Sequence, residues 1–293
     1  MSNNQKQKSV DRVNQIVQHF KIREPSKKLS GKVCILTGVG NQKGIGWATA
    51  LLFAKEDVKQ LYLIDLDGSS LPTLSSQIKN INPNTSVKEI VGDAADDKLI
   101  KLVCEQAIED HGHLDVFFAN AGISSLAPLN STDHETVERT MKINAISTWI
   151  ALKHSTESML KNIEPFRGGS IIFTASVAGL RFGAGSTDYS ASKAAVISLA
   201  QTGSNAYPGA NIRVNTVCPG LIQTEMTDLI FKTAKDHSKI GQLCSLRRYG
   251  LPAEVAAVVL FLAGGDSSYI NGAVIPVDGG LSSSLPVIPG KSF

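Results

Sequence analysis

Residues 32–46 read KVCILTGVGNQKGIG and join a short apolar run to a glycine-rich turn. The run at 32–37 is rich in β-branched and large apolar side chains, which is typical of a buried strand. A helical pattern follows at 44–56. Glycines between a strand and a helix let backbone N–H groups approach a phosphate, and the helix end adds a positive dipole. The stretch therefore predicts an α/β fold with an anion-binding turn.

The same alternation of strand and helix continues along the chain. Apolar runs recur at 61–65, 87–91, 114–119, 170–174, 212–217 and 273–277. Helical patterns lie at 69–80, 97–109, 133–162 and 252–263, and a further helix holds Tyr189. Seven strands with helical crossovers predict a doubly wound, Rossmann-like parallel sheet with helices on both faces. Ligands of such sheets bind at the carboxyl ends of the strands.

Composition excludes several classes of protein. The chain has 293 residues, 42% of them apolar and 19% charged, which predicts one large globular unit. Residues 1–32 hold eight basic and two acidic residues, whereas the remainder is net negative. A nucleic-acid binder concentrates basic residues on its folded body, so we expect no nucleic-acid partner. The longest strongly apolar run, at 255–263, is far too short for a membrane helix.

The histidines, cysteines and amino-terminal residues carry weaker signals. His111 and His113 form the only close histidine pair and have no third ligand nearby, so we expect no metal. The four cysteines are far apart, and the first residues lack an apolar signal core, which together predict a reduced, cytoplasmic protein. Apolar residues at helical spacing near the start predict a short amphipathic helix, and they are Val10, Val13, Val17 and Phe20.

An acidic residue follows the glycine turn at the end of the next predicted strand. Asp65 closes the second predicted strand, nineteen residues after Gly46. A carboxylate at this place in a βαβ unit accepts the ribose hydroxyls of a dinucleotide and repels a 2′-phosphate. The pattern predicts a dinucleotide site that favours NAD over NADP.

The stretch YSASK at 189–193 carries a second cluster. Tyr189 and Lys193 lie one turn apart on the same face of a predicted helix, so the ammonium can act on the phenol. A free tyrosine has a pKa of about 10, and a nearby cation is expected to lower it toward the range useful in acid–base catalysis. Ser176 can orient a substrate oxygen. The pair alone is more typical of an ordinary helix surface, and the other motifs of the chain reverse that interpretation.

Together these residues resemble the short-chain dehydrogenase/reductase family, and the resemblance covers residues 29–280. Ser176, Tyr189 and Lys193 follow the family's serine-x12-tyrosine-x3-lysine spacing, and Asn144 resembles its catalytic-helix asparagine. The expected cofactor-binding residues are Gly38, Gly40, Asn41, Lys43, Gly44, Ile45, Gly46, Asp65, Asp93, Ala94, Asn120, Ala121, Gly122, Tyr189, Lys193, Pro219, Gly220, Ile222 and Thr224. Taken singly, Ser176 could be a buried packing serine and Asn144 a helix-kink asparagine.

The resemblance assigns a role to each group of residues. It implies that Asp93 contacts the adenine, that Asn120-Ala-Gly122 stabilises the central strand, and that Pro219-Gly220 with Thr224 holds the nicotinamide carboxamide. One departure lies in the turn, where five residues separate Gly38 from Gly44 and the family usually has three. The longer turn leaves open which N–H groups face the phosphate. Lys43 stands where NADP-using relatives often carry a basic residue.

The implied activity is an NAD-dependent oxidoreductase, with NADP as the alternative cofactor. Tyr189 would exchange the proton, Ser176 would hold the developing alkoxide, and Lys193 would bind the ribose and lower the tyrosine pKa. Apolar residues in 221–246, together with 179–188, predict a pocket for an apolar secondary alcohol or ketone of moderate size. Two alternatives stay open: an NADP-dependent ketoreductase of secondary metabolism, and a non-redox or scaffold member that binds the cofactor.

The sequence and the resemblance also predict how the chain is divided and how many copies of it assemble. We divide the chain into a basic extension (1–28), a single dinucleotide-binding catalytic domain (29–280) and a C-terminal tail (281–293). Apolar helices around Trp149 and Val196 predict a homotetramer, with a dimer as the runner-up. The apolar tail is expected to cross to a neighbouring subunit in that assembly. The expected partners are thus a small-molecule substrate and further copies of the chain.

Overall fold

The structure of the protein, a computed structural model, describes residues 3–22, 24–163, 168–181, 184–228 and 244–283. The strands are β1 (Val33–Thr37), β2 (Gln60–Asp65), β3 (Ser86–Val91), β4 (Val116–Ala119), β5 (Gly169–Thr174), β6 (Ile212–Pro219) and β7 (Val274–Val277). The helices are α1 (Asn3–Ile22), α2 (Ile45–Lys55), α3 (Leu71–Ile81), α4 (Asp97–His111), α5 (His134–Met141), α6 (Ser147–Met159), α7 (Thr187–Gly203) and α8 (Pro252–Ala263).

The seven strands form one parallel sheet in the order β3-β2-β1-β4-β5-β6-β7, which confirms the predicted doubly wound fold. The fourth strand begins later than the predicted 114–119. The reason is a contact with a residue distant in the chain, because the side chain of Asn162 accepts the N–H of Leu114 at 3.0 Å and donates to its carbonyl at 2.8 Å. Those backbone groups are therefore satisfied outside the sheet.

Alternate residues of the buried strands enter two separate cores. One core packs the sheet against α2, α3 and α8, with Leu36, Leu63 and Phe118 among its strand residues. The other packs it against α4, α6 and α7, with Ile35 and Phe117 pointing the opposite way. Because both faces are covered, the edge at the carboxyl ends of the strands is the natural place for a ligand.

The helix predicted over 133–162 is interrupted. A π-helical segment, Lys142–Ile146, separates α5 from α6, and Asn144 lies within it. Such single-turn segments inside α-helices are frequent at functional sites. The sequence pattern could not reveal the interruption, since apolar spacing is nearly the same on both sides of it.

The amino-terminal helix and the C-terminal tail were both subjects of sequence predictions. Residues Asn3–Ile22 form the helix that the amphipathic pattern predicted. The division of the chain at residues 28 and 280 stays a prediction, and most of the tail, 284–293, lies outside the described residues. Among the described helices, none combines the length and apolar character needed to cross a bilayer.

Candidate active site

The strand order reverses between β1 and β4. Gly38 directly follows β1, and Asn120 directly follows β4. In doubly wound sheets, ligands bind at this topological switch point. The predicted cofactor turn is therefore at the expected place in the fold.

The glycine turn is a close-fitting backbone cradle. Gly38 has a φ of +69°, in the left-handed region that favours glycine. A Cβ on Gly46 would lie 2.2 Å from the Gly38 carbonyl oxygen, so no side chain fits there. Gly44 precedes α2, which Ile45 begins, and provides no side-chain cap. The exposed backbone at the start of α2 suits the pyrophosphate of a dinucleotide.

Asn41 organises the longer part of the turn. Its side-chain oxygen accepts the N–H of Lys43 at 2.8 Å, and its carbonyl accepts the N–H of Gly44 at 2.8 Å. Its amide also donates to the carboxylate of Glu225. The ammonium of Lys43 lies 3.7 Å from the carboxylate of Asp228. The extra residues thus connect the turn to the segment that follows β6.

Asp65 ends β2 directly beneath this turn. Its carboxylate accepts the N–H of Gly40 at 2.6 Å and the N–H of Asp67 at 3.1 Å. A Cβ on Gly40 would lie 2.8 Å from the Asp65 carboxyl carbon, so the glycine is needed for this approach. The two bonds fix the orientation of the carboxylate beside the turn, where the sequence predicted a ribose contact.

Asp93 follows β3 at the same edge of the sheet. Its carboxylate accepts the N–H of Ala95 at 2.8 Å and lies 3.7 Å from the ammonium of Lys142. Ala94 lies between Asp93 and Ala95 in the chain and is partly exposed. The acidic side chain is therefore held in a turn before α4, at the edge where an adenine was expected.

Asn120 joins the ends of three strands. Its side-chain amide donates to the carbonyl of Gly38 at 2.9 Å, and its side-chain oxygen accepts the hydroxyl of Thr174 at 3.0 Å. The hydroxyl of Thr37 accepts the N–H groups of Asn120 at 3.1 Å and of Ala121 at 3.2 Å. These bonds explain why an asparagine is required at the end of the central strand.

The three residues of the predicted proton-transfer site come together. The side chain of Ser176 is close enough to that of Tyr189 to act on the pKa of the phenol, which it lowers. The ammonium of Lys193 lies 5.7 Å from the centroid of the Tyr189 ring and donates to the carbonyl of Thr174 at 2.8 Å. Ser176 is 8% exposed and Lys193 only 3%, so the cluster is largely shielded from water.

Burial governs the protonation of this cluster. It raises the pKa of Tyr189, and the hydrogen bond with Ser176 offsets only part of that effect. It also lowers the pKa of Lys193 to about 8. The expectation that Lys193 would bring the tyrosine pKa below its ordinary value is therefore wrong for this structure. The reason is that surroundings poor in water favour the neutral form of both groups.

Asn144 binds the loop after β4 from within the π-helical segment. Its side-chain oxygen accepts the N–H of Ile123 at 2.8 Å. Its amide donates to the carbonyl of Ile123 and to the hydroxyl of Ser192, both at 2.9 Å. A Cβ on Gly122 would lie 3.2 Å from the Asn144 oxygen. Asn144 is thus both a residue of the interrupted helix and a neighbour of the catalytic helix α7.

The turn after β6 is built from backbone contacts. The N–H of Gly220, which follows Pro219, donates to the carbonyl of Val277 at 3.0 Å. Ile222 is buried, and the N–H of Thr224 donates to the hydroxyl of Thr227 at 3.0 Å. Of the two segments expected to line the substrate pocket, residues 182–183 and 229–243 lie outside the described residues.

Two neighbours of the cluster carried no individual role in the sequence analysis, although Asp188 ends the segment 179–188 that was expected to line the pocket. Cys218, interpreted from the sequence as a packing residue, has a buried thiol hydrogen-bonded to the backbone of Ser176, and burial raises its pKa to about 12. Asp188 has a buried carboxylate and directly precedes Tyr189. Their positions next to Pro219 and Tyr189 were the only signals, and such adjacency does not show which way a side chain points.

Comparison with known proteins agrees with this geometry. A family model described as enoyl-(acyl carrier protein) reductase matches residues 38–282. The chain is 37% identical to the 3-oxoacyl-[acyl-carrier-protein] reductase of Thermotoga maritima over 87% of its own length and 99% of that protein. The chain therefore belongs to the short-chain dehydrogenase/reductase family, and it is an oxidoreductase of that family.

Solved structures of relatives share the fold. The crystal structure of levodione reductase superposes with a TM-score of 0.80 at 30% identity, covering 88% of this chain and 100% of that one. Carveol dehydrogenase from Mycobacterium avium, solved in complex with NAD, gives a TM-score of 0.80 at 25% identity, with 88% and 99% covered. Members of the family bind nicotinamide cofactors.

The cradle can be tested with one added methyl group. We expect Gly46→Ala to weaken NAD binding at least ~30-fold, about 2 kcal/mol, because its Cβ would meet the Gly38 carbonyl oxygen. Isothermal titration calorimetry measures the dissociation constant. Gly265→Ala is the control, since a Cβ there meets no atom within 4 Å. Unchanged NAD affinity in Gly46→Ala would refute the cradle.

Proposed function

We propose that the protein is an NAD-dependent oxidoreductase that transfers a hydride between the nicotinamide and an apolar secondary alcohol or ketone of moderate size. The observation that carries the proposal is the cluster in which the Ser176 side chain acts on the Tyr189 phenol while the buried Lys193 ammonium lies 5.7 Å from the centroid of the tyrosine ring. The glycine turn and Asp65 lie at the same edge of the sheet. The bound cofactor supplies the site that gives or accepts the hydride.

Each residue of the cluster has a distinct task in the proposal. The Tyr189 hydroxyl donates a proton to the substrate oxygen in reduction and removes it in oxidation. The Ser176 hydroxyl, held beside it, orients that oxygen and stabilises its developing charge. The Lys193 ammonium, fixed by the Thr174 carbonyl, would bind the cofactor ribose. Asn144 keeps the loop after β4 in register with the catalytic helix.

The direction of the tyrosine pKa sets the pH dependence. Oxidation needs the phenolate of Tyr189, and burial raises the pKa of this phenol. A larger fraction is therefore ionised as the pH rises above neutral, so we expect oxidation to accelerate with pH. Reduction needs the protonated phenol, and it is expected to persist at neutral pH and to fall in the alkaline range.

The proton-transfer role is tested by removing one oxygen atom. We expect Tyr189→Phe to lose at least ~100-fold in kcat while NAD still binds, because the phenylalanine lacks the hydroxyl that is proposed to exchange the substrate proton. The alkaline rise in oxidation should vanish with it. Tyr269→Phe is the matched control, since Tyr269 is fully exposed. Turnover near that of the unaltered enzyme in Tyr189→Phe would exclude the role and favour a non-redox or scaffold function.

The choice of NAD rests on Asp65. Its carboxylate is fixed beneath the glycine turn by two backbone N–H groups, at the end of β2. A 2′-phosphate placed there would bring two negative charges together. Lys43, the residue that favours NADP, is instead paired with Asp228 on the segment after β6. The structure of the NAD complex of carveol dehydrogenase is a precedent within the same fold.

The ratio of the dissociation constants of NADP and NAD measures the cofactor preference. We expect NAD to bind at least ~tenfold more tightly than NADP, about 1.4 kcal/mol. Asp65→Ser should narrow that ratio by removing the charge, whereas Asp67→Ser should leave it unchanged, because Asp67 is bonded to Ser69 in the next turn. Dissociation constants in the opposite order would show that Lys43 decides, and that the enzyme is a NADP-dependent ketoreductase.

The apolar substrate class is supported by side chains at the carboxyl edge of the sheet. Exposed large apolar residues follow β4, β5 and β6 in turn, and they are Leu126, Leu129, Leu180 and Met226. Such a group on loops around one crevice is typical of a site for an apolar ligand. Turnover is measured with the alcohols carveol, cyclohexanol and 2,3-butanediol, and with the thioester acetoacetyl-coenzyme A. Turnover of the alcohols alone supports an apolar alcohol substrate, whereas turnover of the thioester alone supports an acyl substrate.

We also propose a homotetramer, with a dimer as the runner-up, in the cytoplasm. On α6, Ile150 and Ala151 are buried against the protein's own core, whereas Trp149 is 47% exposed. Ile146, at the end of the π-helical segment, is 49% exposed. An apolar face of this kind beside a covered one suits a second copy of the chain related by a two-fold axis. All four cysteines are free thiols, which supports a reducing compartment.

Assembly is tested by light scattering at micromolar concentration. We expect a species four times the 31.2 kDa chain mass, and Trp149→Glu should shift it to smaller species by placing a charge in the interface. Ile81→Glu is the control, because it adds the same charge at an exposed position on α3, across the sheet. A monomer in the unaltered protein would reject the proposal.

A further inference from the structure

Asp188 holds a buried carboxylate one residue before the tyrosine of the site. It is only 3% exposed. The hydroxyl of Ser125 donates to one carboxylate oxygen at 2.9 Å, and the hydroxyl of Thr140 donates to the other at 2.8 Å. The Ser186 hydroxyl lies 3.0 Å from the Ser125 hydroxyl and acts on the same carboxylate, whose pKa it lowers. The carboxylate is therefore surrounded by hydroxyl donors.

Hydrogen bonds stabilise the ionised form of this carboxylate. Burial acts to raise the pKa of Asp188, but the hydrogen bonds from the three hydroxyls outweigh it, and the pKa lies below its ordinary value. The residue is also in the first turn of α7, where the helix dipole favours an anion. Asp188 is thus ionised at neutral pH, with both oxygens engaged by the protein itself.

The three hydroxyl donors belong to three different parts of the chain. Ser125 lies in the loop after β4, Thr140 in α5, and Ser186 just before α7. The loop is also held by Asn144, through both backbone groups of Ile123. It therefore has two anchors, and Asp188 supplies the one farther along the chain.

These anchors meet where the proposed chemistry takes place. The loop after β4 begins with Asn120 and leads to the exposed Leu126 and Leu129, which the proposed function places around the substrate. Helix α7 presents Tyr189 from the residue next to Asp188. A shift of the loop relative to α7 would change the distance between the substrate oxygen and the tyrosine hydroxyl, and a displacement of about 1 Å can cost ~100-fold in rate.

We propose that Asp188 is a positioning residue, whose carboxylate clamps the loop after β4 and helix α5 to the start of the catalytic helix. It sets where the substrate sits relative to the Tyr189 hydroxyl. It does not exchange a proton with substrate, because both of its oxygens accept hydrogen bonds from the protein. This inference rests on the proposed function.

The clamp is tested with variants that change hydrogen bonds and little else. Asp188→Asn keeps the shape but turns an amide N–H₂ toward hydroxyl donors, and we expect at least a ~100-fold loss in kcat/KM for the best alcohol of the panel, with higher KM and lower kcat. NAD affinity should stay within about twofold. Thr140→Val should lose ~10-fold, and Thr140→Ser should restore kcat/KM to within about twofold, because only the hydroxyl is required.

Controls separate the clamp from general folding and from the proposed chemistry. Asp133→Asn alters an exposed cap carboxylate on α5, bonded to the N–H of Thr136 at 2.8 Å, and should leave kcat/KM unchanged. Should Asp188→Asn fail to fold, Thr140→Val and Ser125→Ala carry the same test. Full activity in Asp188→Asn, or a matching loss of NAD affinity, would overturn the clamp. If Tyr189→Phe retains turnover, the proposed function fails; if it is inactive while Asp188→Asn is fully active, only the clamp fails.

Discussion

The side chain of Asn120 connects the cofactor turn to the catalytic helix, and most of the site depends on that connection. Its amide binds the carbonyl of Gly38, and its oxygen binds the hydroxyl of Thr174. The carbonyl of Thr174 in turn accepts the ammonium of Lys193. One continuous set of hydrogen bonds therefore runs from the glycine turn, across the ends of β4 and β5, to α7. The positions of the glycine turn and of helix α7 relative to each other are fixed by backbone groups and side chains at the strand ends.

The electrostatics of the site follow from the same burial. Lys193 is buried and Tyr189 is partly buried, so the ammonium gives up its proton more readily and the phenol is a weaker acid than they would be in solution. A family of enzymes that reverses its reaction needs a group that can be both acid and base, and a buried phenol beside a cation meets that need. Asp188 contrasts with them, because its hydroxyl donors keep it charged despite burial. The protein thus sets opposite tendencies on adjacent residues through local hydrogen bonding.

Sequence predicted the sheet, its order of elements and the three residues of the proton-transfer cluster, because strand periodicity and helical spacing are local properties. It did not predict the interruption at Lys142–Ile146 or the late start of β4, since both depend on side chains such as Asn162 binding distant backbone groups. The bonds from Asn41 and Lys43 to Glu225 and Asp228 join residues far apart in the chain, and no local pattern reveals them. The sequence did not predict that the pKa of Tyr189 is raised. Burial of the phenol causes this shift, and burial depends on the tertiary structure.

The roles proposed for these residues all depend on direct transfer of a hydride between substrate and nicotinamide. Hydride transfer is tested with a secondary alcohol deuterated at the carbinol carbon, together with NAD, followed by mass spectrometry and proton NMR of the reduced cofactor. We expect deuterium at C4 of the nicotinamide, with none exchanged with water. Reduced cofactor that lacks the label, or deuterium released to the solvent, would contradict it.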